Sequence, residues 1–302
     1  MTEPALVAAA VATLWTAPGR ARGVDAPMVS GSGDCRAWTS AMTGGERQDL
    51  HDRVESQLLL GDRVLVGDVD AGWARVLVPG QAAGGRDPRG YPGWVPVDQI
   101  ASGEHPGEGP EDVVVDALTT PLRSSPSGEV AVADVVLGTR LPALGAATDG
   151  WLPVSAPGRT EPLWVRVEDV RPADGPAAGR ASPLAVATRL LGTPYVWGGM
   201  TPFGIDCSGL VHLAHRLAGV VVPRNADEQQ AAAVAVPLGT EKPGDLYFFA
   251  REGGRAHHVG FATGDGWMID ACPVAGRVER QRLSPDRRRT LAGCGRFDSP
   301  EA

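Results

Sequence analysis

Two stretches in the N-terminal half of the chain carry the same pattern, and that pattern admits few folds. The first runs Leu58-Leu59-Leu60-Gly61-Asp62-Arg63-Val64-Leu65-Val66, then Gly72-Trp73-Ala74-Arg75-Val76, then Gly93-Trp94-Val95-Pro96-Val97-Asp98. The second runs Val135-Val136-Leu137-Gly138-Thr139-Arg140-Leu141, then Gly150-Trp151-Leu152-Pro153-Val154, then Trp164-Val165-Arg166-Val167-Glu168-Asp169. Short alternating strands cut by Gly, Asp and Pro turn signals close into small all-β barrels. The repeat therefore predicts two barrels, over 5–102 and 112–172, joined by a Gly/Glu/Pro linker at 103–110. Within the first, residues 33–56 read as an insertion, helical from Thr43 to Ser56. The repeated Trp73, Trp94, Trp151 and Trp164 are read as barrel core.

A Pro/Ala/Gly linker from Pro172 to Ser182 separates the barrels from an α+β domain over 183–297. This domain opens with a helix at Pro183–Leu191, and strands are expected near Asp245–Ala250, His258–Thr263 and Trp267–Asp270. Between them, a Gly/Pro-rich loop ends at Asp206, and a segment beginning at Cys207 keeps apolar residues at Leu210, Val211, Ala214 and Leu217, the spacing of one helix face. Asp206 is placed to cap that helix. A thiol in the first turn sits at the positive end of the helix dipole, which stabilises negative charge on it. A bare carboxylate beside it would oppose that charge, so Asp206 is expected to be tied up, with Arg224 the candidate partner.

A cysteine nucleophile needs a base, a group to orient the base, and donors for the oxyanion. His257 and His258 open an alternating strand, and Asp270 ends the next one after the turn Gly264-Asp265-Gly266. That hairpin brings His258 and Asp270 together, and only one of the two histidines can face a cleft. The other cysteines, 35, 272 and 294, have no nucleophile context and no metal-ligand spacing, although a Cys272–Cys294 bridge stays open. His212 and His215 lie three residues apart on the Cys207 helix without further ligands, so they are read as packing or solvated side chains. No metal or cofactor is expected. A formal net charge of −8 argues against a nucleic-acid partner. The apolar run Ala5–Leu14 follows Met-Thr-Glu-Pro, with no basic residue before it and without the length of a membrane span. The expectation is a cytoplasmic protein without a membrane partner, exported only if the true start lies upstream.

Tyr-Val-Trp-Gly-Gly at 195–199, Asp-Cys-Ser-Gly-Leu at 206–210, Pro-Gly-Asp-Leu at 243–246 and His-Val-Gly at 258–260 together resemble the NlpC-type, papain-like cell-wall cysteine peptidases. The repeated Gly-Trp and Trp-Val of the N-terminal half resemble bacterial SH3-type domains. The resemblance implies a multi-domain fold: two SH3-like barrels followed by an α+β papain-like peptidase domain. It is similar to the γ-D-glutamyl-L-diamino-acid endopeptidases, with peptidoglycan stem peptides as substrate and partner. Carried over by position, Cys207 is the nucleophile, His258 the base, Asp270 the third polar residue where a histidine is common, and Tyr195 an oxyanion donor. Recognition of a free N-terminal L-alanine falls to Glu55 and Tyr91, while Asp206, Ser208, Arg224 and Asn225 are placed around the substrate. The family's Asp-Ser pair after Pro-Arg is replaced here by Asn225-Ala226, which removes one carboxylate from the amine pocket. The first barrel is expected to wall off one end of the cleft, so that short fragments fit best. Alternatives on the same fold are an amidase or acyltransferase acting on another amide, or an inert wall-binding protein. The diamino acid (diaminopimelate or lysine), the oligomeric state, and a role in recycling or in wall remodelling stay open.

Overall fold

A computed structural model describes residues 2–103, 112–173 and 181–297. Most of the two expected linkers, 103–110 and 172–182, lies outside the described residues. The chain divides into two compact units. One comprises Met1–Gly80, Arg89–Gly175 and Thr201–Phe203; the other comprises Gln81–Pro88, Pro176–Met200 and Gly204–Ala302.

The first unit is β-rich. Strands β1 (Glu3–Val7), β2 (Val11–Trp15), β3 (Val54–Leu59), β4 (Arg63–Asp70), β5 (Trp73–Val78), β6 (Tyr91–Pro96) and β7 (Ile100–Ser102) form one sheet in the order β3-β2-β6-β5-β4-β1-β7. Every neighbouring pair is antiparallel. The apolar run Ala5–Leu14 thus falls in β1 and β2. Strands β8 (Asp112–Val115), β9 (Thr119–Arg123), β10 (Val130–Val136), β11 (Arg140–Pro142), β12 (Trp151–Val154), β13 (Leu163–Arg166) and β14 (Val170–Pro172) form two smaller sheets, β10-β9-β13-β12 and β11-β8-β14. Period-2 alternation fills their core: Leu152 and Val154 of β12 and Leu163 and Val165 of β13 point inward to meet Val113, Leu122, Val135 and Leu141.

Two readings of this unit need correcting. Between β2 and β3 lie three short helices, α1 (Ala26–Val29), α2 (Cys35–Ala41) and α3 (Gly44–Gln48). The helix expected from Thr43 to Ser56 therefore stops at Gln48. Thr43 and Glu46 start it with a reciprocal capping box, but Val54 onward pairs with β2, in the register Trp15↔Val54 and Leu14↔Ser56. The sheet partner overrides the local helical pattern. The repeated tryptophans are also only half-buried; the fully buried indoles are Trp15 and Trp38. Trp73 stands edge-on to Trp15 at 6.2 Å, and the Arg166 guanidinium covers Trp151 at 4.9 Å. Aliphatic side chains fill the space that the tryptophans were expected to occupy.

The second unit opens with α4 (Pro183–Arg189); of the two dipeptide strands that follow, β15 (Met200–Thr201) straddles the division of the chain and β16 (Gly204–Ile205) lies in the second unit. Helices α5 (Cys207–Leu217) and α6 (Ala226–Ala232) come next. A six-stranded antiparallel sheet follows, from β17 (Val234–Val236), β18 (Leu246–Ala250), β19 (Ala256–Gly264), β20 (Trp267–Cys272), β21 (Arg277–Arg282) and β22 (Leu291–Arg296), with α7 (Pro285–Thr290) before the last strand. The order is β17-β22-β18-β19-β20-β21. Helix α5 packs on β19 and β20. It is buried beyond the predicted stripe, with Arg216 alone left outside. His212 and His215 are packed residues whose Nδ1–H groups donate to Val222 O (2.9 Å) and Val211 O (2.8 Å). Burial depresses each imidazole to about 4. Cys272 on β20 and Cys294 on β22 are free thiols, with β18 and β19 between their strands, so the bridge left open by the sequence does not form. Among the described residues, no helix is long and apolar enough to cross a membrane.

Candidate active site

Asp206 sets the entry to α5. Its backbone is extended (φ −97°, ψ 176°) and its carboxylate caps the helix, with Gly209 N–H donating to Oδ1 at 2.6 Å. Gly198 N–H donates to Oδ2 at 2.8 Å. The Arg224 guanidinium forks onto the same carboxylate, at 3.0 Å to Oδ1 and 2.8 Å to Oδ2. It also donates to Ser208 Oγ at 2.9 Å, and Ser208 Oγ–H donates to Asp206 Oδ1 at 3.3 Å. Arg224 is 1% exposed and its charge is spent inside this network. Gly209 explains part of the motif. A Cβ there would lie 2.3 Å from Gly199 O, so the Gly-Gly loop could not close against the first turn of α5. Cys207, the first residue of that helix, is buried, the residue being 8% exposed.

The facing groups come from the sheet. Strands β19 and β20 are joined by the positive-φ pair Asp265-Gly266 and pair in the register Phe261↔Ile269 and Ala262↔Met268. Alternation along β19 buries His258 and exposes His257. His258 Nε2–H donates to Asp270 Oδ2 at 2.7 Å, both side chains being buried. Gly260 makes room for this pair: a Cβ there would lie 2.8 Å from Asp270 Cβ and 2.4 Å from Met268 Cε. With Nε2 committed to Asp270, the other ring nitrogen, Nδ1, is the one left to serve Cys207, which acts on the imidazole. Burial by itself would depress the imidazole. The charge of Cys207, the Asp270 hydrogen bond and the Cys207 hydrogen bond outweigh it and lift His258 to about 9.

Tyr195 lies in the segment 192–195, which is laid along β21. Gly192 N–H donates to Val278 O, Val278 N–H to Thr193 O, and Tyr195 N–H to Gly276 O at 2.8 Å. Its phenol is buried, and burial together with the charges of Cys207 and Asp206 pushes its pKa far up. It therefore stays protonated and can donate. Asn225 is the N-cap of α6, but its side chain makes no capping bond. Gln229 of α6 donates to Ser208 O and Pro223 O, each at 2.9 Å, tying α6 to the residue after Cys207. In the first unit, Glu55 on β3 and Tyr91 on β6 flank β2, and Tyr91 OH donates to Glu55 Oε2 at 3.1 Å.

Three polar side chains at the site escaped the sequence reading: Gln229, Gln281 and Arg287. Gln281 Nε2–H donates to Asp270 Oδ1 at 2.8 Å, and Arg287 Nη2 lies 3.4 Å from Asp270 Oδ2. The alternating Arg277–Arg282 run and the Ser-Pro-Asp helix start at 284–286 were the available signals. Neither said what these residues would meet. The motif residue Asp245 is structural: it is buried and takes a two-point bond from Arg296, at 2.6 and 2.8 Å, locking β18 beside β22.

Known proteins resemble the chain over most of its length. The model of the NlpC/P60 family matches residues 192–289. A Bacillus cereus protein named gamma-D-glutamyl-L-lysine dipeptidyl-peptidase is 34% identical, over 91% of this chain and 85% of the relative. A Bacillus subtilis protein of the same name is 35% identical, over 90% of this chain and 91% of the relative. The crystal structure of an NlpC/P60 family protein from Bacillus cereus superposes with a TM-score of 0.89 at 33% identity, covering 99% of this chain and 100% of that one. The chain belongs to the NlpC/P60 family.

Proposed function

We propose that the protein is a cysteine peptidase that hydrolyses the amide between γ-D-glutamate and a diamino acid in peptidoglycan stem peptides, taking short fragments with a free N-terminal L-alanine. The observation that carries the chemistry is the buried His258 imidazole, bonded through Nε2 to Asp270 at 2.7 Å and raised by Cys207 beside it. In this reading the Cys207 thiolate attacks the γ-carbonyl. The Tyr195 phenol and the N–H groups of the first turn of α5 receive the oxyanion. The His258 imidazolium then gives its proton to the departing amine, and water, deprotonated by the same imidazole, releases the acyl group. Asp206, Ser208 and Arg224 hold the turn that presents Cys207.

The bond and the substrate class rest on the two relatives whose names carry a γ-D-glutamyl-L-lysine dipeptidyl-peptidase activity and which match about nine-tenths of the chain. We assign the two β-sheet assemblies of the first unit to SH3-like barrels and give Glu55 and Tyr91 the substrate ammonium group. Asn225 supplies a neutral partner where a carboxylate is usual, which loosens the demand for a charged amine.

The test is incubation of wild-type protein and Cys207→Ala with L-Ala-γ-D-Glu-diamino-acid peptides, free and N-acetylated, followed by mass spectrometry. Release of L-Ala-γ-D-Glu from the free peptide by the wild type alone is expected. Cleavage only of the acetylated peptide removes the free-amine assignment, and cleavage of neither removes the peptidase.

A further inference from the structure

Asp270 is fully buried, and three groups converge on it: His258 at 2.7 Å, Gln281 at 2.8 Å and Arg287 at 3.4 Å. Arg287 is itself fixed from two sides. Its backbone N–H donates to the cap residue Ser284, and its guanidinium lies 5.1 Å over the Phe249 ring. The same ring stands 5.6 Å from the His258 imidazole. We propose that Arg287 is a positioning and charge-balancing residue: with Gln281 it holds the Asp270 carboxylate in one orientation and cancels part of its negative charge, so that the His258 imidazolium can still release its proton to the leaving amine.

The physical argument is one of balance. A buried carboxylate with no other cation would stabilise the imidazolium strongly and make it a poor acid. A neutral third residue would need no such correction, and this chain carries an aspartate. Among the described residues, the charged and titratable groups at and around His258 are Cys207 from α5, Asp270 and Cys272 from β20, Tyr195 beside Cys207, Arg287 from α7, and His257 on its own strand, with Arg251 acting on His257. Phe249 of β18 and Gln281 of β21 are uncharged. Among these, Arg287 is the cation that touches Asp270.

The inference rests on the roles given to Cys207 and His258 above. The experiment follows the alkaline limb of kcat/KM for the L-Ala-γ-D-Glu-diamino-acid peptide, and in parallel the His258 imidazole titration by NMR, in wild type, Arg287→Gln, Arg287→Lys and Gln281→Met. Arg287→Gln should move both upward by about one pH unit and lower kcat about tenfold. Arg287→Lys should keep both near wild type, and Gln281→Met should lower kcat without moving the limb. An unmoved limb and an unmoved titration in a folded, active Arg287→Gln overturn the proposal. If Arg287→Gln does not fold, the NMR titrations of Asp270→Asn and Asp270→Asn/Arg287→Gln decide. Asp270→Asn should titrate below wild type and the double variant above Asp270→Asn; equal values overturn it. A wild-type enzyme that cleaves nothing would instead end the assignment of Cys207 and His258.

Discussion

The Arg224–Asp206 pair makes a quantitative demand on stability. Arg224→Met removes a 1%-exposed guanidinium that makes two bonds to Asp206 and one to Ser208, and leaves the carboxylate buried. Two charges about 4 Å apart at an effective dielectric of about 20 attract by about 4 kcal/mol. Breaking a buried pair from one side costs about 3–5 kcal/mol, because the surviving charge stays desolvated. Asp206 keeps Gly198 N–H, Gly209 N–H and Ser208 Oγ–H as donors, which puts the loss at the lower end, about 3 kcal/mol. Urea unfolding measures it as a drop in midpoint at constant slope. In a cycle with Asp206→Asn, the coupling should be about 2 kcal/mol or more. A loss below about 1 kcal/mol, the value of an exposed ion pair, would refute the reasoning.

Other expectations follow from the same geometry. The His258 imidazolium is held up to about 9, so kcat/KM should fall on the alkaline side near pH 9, and an alkaline limb at pH 6–7 would contradict the ion pair. In Cys207→Ala the imidazole loses a partner that raises it, so its NMR titration should move down. His212 and His215 are neutral in the folded state and titrate at about 4, against an ordinary value of 6.5. The unfolded chain therefore binds protons first, and stability is full above pH 6.5 and lost as pH falls towards 4. The slope for two such groups is about 2.7 kcal/mol per pH unit, measurable by urea titration at a series of pH values. Gly260→Ala drives a methyl group into Asp270 Cβ and Met268 Cε, and should cost about 1–3 kcal/mol. By shifting Asp270 it should also lower kcat about 10–100-fold with KM little changed.

What the sequence could tell depended on how local the determinants were. Cys207 and Asp206 were legible because a cap, a first turn and an apolar spacing lie within a dozen residues. His258 and Asp270 were legible because a tight turn and a two-residue period place them on one face of a hairpin. The end of the helix at Gln48 was not, since Val54–Leu59 takes its structure from β2, far upstream. Nor were Gln281 and Arg287, which reach Asp270 only because β21 borders β20 in the sheet and α7 follows it. The half-buried tryptophans show a related limit, since period-2 alternation assigns a residue to a face but does not say how completely that face is covered.

The central claim is that Cys207 forms the acyl-enzyme. Rapid-quench intact-protein mass spectrometry during turnover of L-Ala-γ-D-Glu-diamino-acid peptide, followed by peptide mapping, tests it most directly. The account predicts a transient adduct of the L-Ala-γ-D-Glu acyl group on Cys207, absent in Cys207→Ala together with all cleavage. Cleavage that persists in Cys207→Ala, or an adduct on another residue, would contradict it.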